Sequence, residues 1–434
     1  MNIGIIGGGM MGLATAFYLS RSGMDVTIFE KDKQIGGLSR SDELLPGFRW
    51  DRFYHVILTT DKELLEFLDE LGLLLDVEFR ETKTGFYTNG QLHSMSTTTE
   101  FLKFKPLSLL DKLRLGAGIF YASKINNWQR LEKLYVKTWL IRIFGRRNYE
   151  KMWGPLLRSK LGSANEQASA AFIWGIIKRL YGSRQSTSKK EMAGCVHGGY
   201  HSILFRIKEK LAEKGVKILI NNNITRIEST SNERLLVHAR DGNPYLYDKL
   251  ISTIPNPELL NIWPDISESF KNQLQKIQYL KLVCVSLVLK NKLSPYYVTN
   301  LTDSGIPFTG IIDATNIIPP DILQGKALVY LPKYIPSQDE FYEKTEKEIL
   351  AEFISALKII FPTFSDDDII ASYVHREPFV QPIQDVNYST NIPPMETPIK
   401  NLYMVNTSMI LNSTLNNNQV IKLARKMALL LTNN

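Results

Sequence analysis

Three glycines and one acid near the N-terminus carry the first chemistry in this chain. Gly7, Gly9 and Gly12 form G-x-G-x-x-G, and Glu30 follows 18 positions after Gly12. A tight turn requires a residue without Cβ at Gly7. Close approach of backbone to a pyrophosphate requires one at Gly9, and close packing of helix on strand requires one at Gly12. The N–H groups that open a helix have no partner inside it and favour an anion. A carboxylate at Glu30 can accept from a ribose hydroxyl. This spacing suits a dinucleotide held through its diphosphate, with Met10 and Met11 on the same turn and Lys31 beside the acid. The bland alternative is a glycine-rich turn with no ligand. A second candidate cluster is Arg52-Phe53-Tyr54-His55, where Tyr54 and His55 are the polar groups that a reacting site could use. Its alternative is a half-buried strand with a hydrogen-bonded histidine.

The elements around the glycines are those the motif needs. Ile3-Gly4-Ile5-Ile6 reads as a short buried parallel strand. Leu13, Phe17 and Leu19 repeat at helical spacing, and Gly23 is placed to end that helix. Asp25-Val26-Thr27-Ile28-Phe29 reads as the second strand and delivers Glu30 at its end. NAD and FAD both suit this unit. A second pair, Gly36-Gly37, comes six residues past Glu30 and is followed by Leu38-Ser39-Arg40; a simple NAD site has no use for it.

With that second pair, the chain resembles the flavoprotein superfamily of flavin-containing amine oxidases, protoporphyrinogen oxidases and phytoene desaturases. The resemblance favours FAD and implies that Gly37, Leu38 and Ser39 run along its diphosphate. It extends to Gly198-Gly199 and the helix after it, to the strand from Ile224, and to Asp248 through Thr253-Ile254-Pro255. By resemblance, Ile224 presents backbone groups to the adenine and Thr253 lies near the cofactor. The segment with Ser408 and the helix Asn417 to Thr432, with Asn418, close on the flavin end, where the helix dipole stabilises negative charge. Close relatives tend to carry acids and then R-G before that helix; this chain has Leu411 to Asn418 instead. Tyr149 to Gly162 is similar to a W-x-P-L-L-x-x-K-x-G segment of uncharacterised bacterial oxidoreductases in the superfamily, and Trp153 and Lys160 are its candidates to face a substrate.

A chain of 434 residues is too long for one compact core. The expected fold is α/β: a discontinuous Rossmann-type FAD-binding domain (1–90, 186–257 and 393–434) with an inserted α+β substrate domain (91–185 and 258–392) and a helical lid. Phe79 to Leu92 reads as a hairpin turning at Asn89-Gly90, and Glu340 to Ile360 as a helix. Cys195 and Cys284 are too few for a disulfide framework and lack metal spacing, so buried thiols, no metal site and a reducing compartment are expected. No basic leader precedes the first strand, and Lys or Arg breaks every apolar run before the roughly 20 residues of a spanning helix. The expected location is cytoplasmic, peripheral on the inner membrane face.

The net charge of +8 is concentrated. Phe101 to Lys160 holds fourteen Lys or Arg against three acids, a local +11 that leaves −3 elsewhere. Apolar and aromatic residues are interleaved with these bases from 101 to 162. The readings are a solvated helical lid or a surface for anionic membrane; no nucleic-acid module is discernible.

The expected activity is FAD-dependent oxidation, of dehydrogenase, desaturase or oxidase type, in which an organic, apolar or lipid-linked substrate passes a hydride to flavin N5. Three alternatives stay open. One is an enzyme like UDP-galactopyranose mutase, without net redox, using Arg142, Arg146 and Arg147 on nucleotide phosphates. The others are a flavin amine oxidase and a flavin-binding scaffold without catalysis.

Overall fold

The computed structural model describes residues 1–184 and 191–433. Five short strands form a parallel sheet in the order Lys217–Leu219, Asp25–Phe29, Asn2–Ile6, Lys249–Ser252, Leu402–Met404. Ile3 and Ile5 of the central strand are fully buried, as continuous apolar runs in parallel sheets are when helices cover both faces. Helix Met10–Arg21 starts at Gly9 and packs with Asn417–Thr432 and Gly199–Glu213 in the same core. Its end is the expected one. Gly23 adopts φ 78°, and the N–H of Met24 reaches back to the carbonyl of Leu19.

A second sheet has seven strands, ordered Ile369–Pro382, Tyr279–Leu289, Ala327–Ile335, Gly310–Asp313, Val298–Leu301, Thr84–Thr88, Gln91–Ser94. Its pairings are antiparallel except where Val298–Leu301 meets Thr84–Thr88. The chain is therefore α/β, with a parallel sheet and a second, mixed sheet covered by helices.

Three local expectations change. The turn at Asn89-Gly90 is present, with φ 52° and 70°, but it joins Thr84–Thr88 to Gln91–Ser94. Val77–Glu81 pairs with Met192–Val196 instead, because alternation of side chains sets a strand's faces and not its partner. The expected boundary at 90 thus falls within a hairpin of the seven-stranded sheet, and the one at 185–186 lies outside the described residues. Glu340 to Ile360 is two elements. The helix proper is Glu346–Ile360, because Thr345 and Glu348 form a reciprocal capping box there. Gly47 to Ile57 holds a strand only at Phe48–Asp51, with a two-residue strand at Ile57–Leu58; between them the chain leaves the ladder to border a cavity.

The basic stretch is helical, including Leu109–Lys124, Val136–Phe144 and Gly154–Leu161, and closes with Ala170–Arg184 around its own core of Trp139, Phe144 and Phe172. Both cysteines are buried and unpaired. Among the described residues no helix is long and apolar enough to cross a membrane.

Candidate active site

The two glycine segments meet at one wall of a cavity of about 580 Å3 that runs between the sheets. The N–H of Gly36 donates to the carbonyl of Gly8 at 2.8 Å. A Cβ at Gly37 would stand 3.3 Å from the Cα of Gly9, and one at Gly9 would touch nothing nearer than 4.0 Å. Two bare stretches of backbone therefore form one wall, with the opening of helix Met10–Arg21 beside them. Gly7, Gly9, Met10 and Met11 border the cavity. Gly12 does not; its added Cβ would lie 2.0 Å from the carbonyl oxygen of Gly7, so its part is to let helix approach turn. Thr253 secures the same turn, its hydroxyl donating to the carbonyl of Ile6 at 2.9 Å.

At one end the cavity is acidic and polar. Glu30 is 6% exposed; its Oε2 accepts from the N–H of Gly8 and its Oε1 from that of Asp32, both at 2.8 Å. Burial pushes its pKa up, while those two N–H groups oppose the shift. Lys31 pairs with Glu258 at 2.6 Å, and Asn222 and Ile224 close this end. Arg40 extends over the cradle from the second glycine segment. Its Nη1 donates to Asp32 at 2.8 Å, and its Nε is buried without a hydrogen-bond partner among the described residues.

At the other end aromatic side chains dominate. The hydroxyls of Tyr54 and Tyr334 lie 2.9 Å apart, and burial holds the pKa of Tyr54 well above the ordinary phenol value, so it stands as a neutral hydroxyl. His55 lies against the ring of Tyr200, centroids 4.5 Å apart, with Nδ1 3.7 Å from the carboxylate of Asp51. Asp51 is buried and also takes the hydroxyl of Ser41 and the N–H of Tyr200, so it fixes the floor beneath His55. Lys160 and Arg179 also border this end. Arg179 is held by Asp61 through a two-pronged pair, at 2.8 and 2.9 Å from Nη2.

The C-terminal residues arrive one position away from expectation. Asn416 and Asn417 border the cavity, whereas Asn418 turns its Oδ1 to the N–H of Leu64 at 3.1 Å. Asn418 lies about 100° further round the helix than Asn417, and that step turns its side chain away from the cavity. Ser408 is fully buried beside the cavity, its hydroxyl given to Asn406 at 2.7 Å; Asn406 and Thr407 are the bordering residues. Trp153 is not part of the wall, and Arg142, Arg146 and Arg147 are exposed on the outside of the helical region, away from the cavity. The phosphate-binding role considered for these arginines has no support in their placement. Leu38, Ser39 and Gly37 do border it.

Sequence reasoning did not single out Arg179, Tyr334, Tyr200, Glu377 or Asn416. Arg40 had a signal, since it stands three residues past the second glycine pair. The others converge from five separate parts of the chain: two strands, two helices and the cap of the last helix.

This arrangement fits FAD. At Gly9 a side chain would fill only cavity, the buried Arg40 Nε has no hydrogen-bond partner among the described residues, and Glu30 keeps lone pairs beyond the two N–H bonds it accepts. Glu30, Asn222 and Ile224 would hold the adenosine part, the glycines and Arg40 the diphosphate, and the segments at Tyr54 to Val56 and Asn416-Asn417 the flavin part.

The sequence profile of the family described as flavin containing amine oxidoreductase matches residues 10–415. The chain is 23% identical over 372 residues to protoporphyrinogen oxidase of Dictyostelium discoideum, covering 70% of this chain and 69% of that protein. It is 20% identical over 415 residues to zeta-carotene desaturase of Synechocystis, covering 84% of each. The fold is similar to that of an oxidoreductase from Methanosarcina mazei (TM-score 0.76, 18% identity, 98% of this chain and 99% of that one). It is also similar to cyclohexylamine oxidase from Brevibacterium oxydans (TM-score 0.72, 16% identity, 100% and 98%). With the profile spanning nearly the whole chain and a cavity whose walls fit the cofactor, this protein belongs to the flavin containing amine oxidoreductase family and is an FAD-dependent oxidoreductase.

Proposed function

We propose that the enzyme dehydrogenates an apolar organic substrate lodged among the aromatic side chains at the far end of the cavity. The supporting observation is the wall there: Phe53, Tyr54, Leu282, Tyr334, Phe379 and Val380 border the cavity beyond the glycine cradle. Such a wall excludes water and orients a hydrophobic body by contact. The FAD, when bound, supplies the hydride acceptor at N5. The protein's share is to position the substrate and offer the Tyr54–Tyr334 hydroxyl pair and His55 as polar contacts. The basic test is anaerobic. The yellow holoenzyme, mixed with isoprenoid, porphyrinogen-type, amine and UDP-sugar compounds in turn, should bleach with an apolar compound. Bleaching by amines alone, or by none, would overturn this reading.

Contact with an anionic membrane surface belongs to the same reading. Helix Leu109–Lys124 turns Leu109, Leu110, Leu113, Phe120 and Tyr121 outward, between 55% and 78% exposed, in the part of the chain that carries the local +11. An exposed apolar face rimmed by bases suits the interface of a bilayer with anionic headgroups. The protein should sediment with phosphatidylglycerol-containing vesicles at low salt and release as salt rises. A Leu110→Glu, Phe120→Glu double substitution should abolish sedimentation. Sedimentation unchanged by it would remove this face from the proposal.

A further inference from the structure

The charges around the cavity do not balance at its aromatic end. Four carboxylates border the cavity, and three of them are engaged toward the nucleotide end. Glu30 accepts two backbone N–H groups, Asp32 pairs with Arg40, and Glu258 pairs with Lys31; Glu377, on the strand that also carries Phe379 and Val380, has Arg40, Arg52 and Lys31 as its cationic neighbours and not Lys160. The aromatic end holds two cations, Lys160 and Arg179. Arg179 is neutralised by Asp61, which is 3% exposed on its side chain. Lys160 makes no hydrogen bond or ion pair among the described residues. Its ammonium lies 5.3 Å from the centroid of the Tyr334 ring, whose hydroxyl meets that of Tyr54. Lys160 is half-buried, and a cation drawn partly out of water costs free energy unless a counter-charge joins it; contact with one aromatic face offsets only part of that cost.

We infer that Lys160 is the specificity-determining residue of the substrate end, and that it receives an anionic group, a carboxylate or a phosphate, on an otherwise apolar substrate. This deepens the function proposed above and rests on it. A substrate carrying a cation would meet the like charge of Lys160 at this end, so alkylamines are poor fits. The enclosure also pulls the pKa of Lys160 down to about 8, with Arg179 adding to the effect; the group is thus mostly charged at neutral pH, and an arriving anion would raise it again. Lys160 stands at the end of helix Gly154–Leu161, which packs on strand Ala327–Ile335 and so sets the ammonium over Tyr334.

The test compares three probes with one chain length: decanoate, decanol and decylamine. Binding to the holoenzyme is followed by calorimetry and by perturbation of the flavin absorbance, below the concentrations at which the probes aggregate. The wild type should bind decanoate about tenfold more tightly than decanol, the scale of one ion pair partly desolvated, and decylamine more weakly than either. Lys160→Met should bring decanoate to within about twofold of decanol, while keeping FAD, the far-ultraviolet spectrum and decanol binding. Lys160→Arg should keep a preference for decanoate. Equal binding of the three probes by the wild type, or a preference for decylamine, would overturn the assignment. So would a Lys160→Met enzyme that loses flavin reduction yet keeps the preference, since that would move Lys160 to the cofactor's side. A protein that shows the decanoate preference by calorimetry but is reduced by no apolar substrate would sink the proposed activity and leave the assignment of Lys160 standing.

Discussion

The N–H of Gly8 donates to Oε2 of Glu30 at 2.8 Å, across 22 residues of sequence. One hydrogen bond thereby ties the glycine turn to the end of the second strand, and it leaves the carboxylate buried with capacity to accept more. Glu30→Gln keeps the shape and removes the charge. The expected result is a loss of FAD affinity of about tenfold to a hundredfold, the range for one hydrogen bond to a charged group. Titration of apoprotein with FAD, followed by flavin fluorescence, measures it. An unchanged affinity would take Glu30 out of the cofactor site.

Gly9 and Gly12 should separate binding from folding. Gly9 has φ −74°, which any residue adopts, and an alanine there would point into open cavity. Gly9→Ala should leave the apoprotein's melting temperature within a degree or two and abolish FAD retention. An alanine at Gly12 would collide with the Gly7 carbonyl at 2.0 Å, so Gly12→Ala should lower stability as well, with no soluble folded protein as the extreme. Equal behaviour of the two variants would contradict this division.

Asp61 and Arg179 join helix Lys62–Glu70 to helix Ala170–Arg184 through a pair with little exposure, 3% and 23% on the two side chains. Asp61→Ala leaves the guanidinium without its partner and should cost about 3 kcal/mol in chemical denaturation. The Asp61→Ala, Arg179→Met double variant should recover part of that loss. If it is no more stable than the single variant, the loss comes from the Leu58 N–H that Asp61 also accepts at 2.9 Å.

Asp313 makes stability depend on pH in the direction opposite to a salt-bridged acid. It is fully buried, accepts from the N–H groups of Leu293 and Ser294 at 3.1 and 3.3 Å, and burial pushes its pKa from 3.8 up to about 6. The folded chain therefore holds a proton that the unfolded chain releases between about pH 4 and 6. Its contribution to stability is present below pH 4 and lost as pH rises through 6. Asp313→Asn should remove that slope and gain on the wild type by about 2–3 kcal/mol across the window, since one pKa unit corresponds to ~1.4 kcal/mol. Urea denaturation at pH 4, 5, 6 and 7 measures it. A constant difference would show that Asp313 titrates normally.

The sequence by itself determined the nucleotide half of the site. Strand, glycine turn, helix and acid follow one another within Asn2 to Glu30, so their relative placement depends on local backbone geometry and on a spacing that can be read directly. The helix Asn417–Thr432 was legible for the same reason: its pattern is a local property. Tertiary structure decided the rest. Tyr54 meets Tyr334 across 280 residues, and Arg179 meets Asp61 across 118; neither pairing leaves a periodic trace. The shift from Asn418 to Asn417 was also beyond sequence, because it depends on the rotation at which the last helix docks on its neighbours. The partner of Val77–Glu81 was hidden because alternation is the same in every sheet a strand might join. Where a charge stays unpaired, as at Lys160 among the described residues, is decided last, since every element that borders the cavity must already be in place.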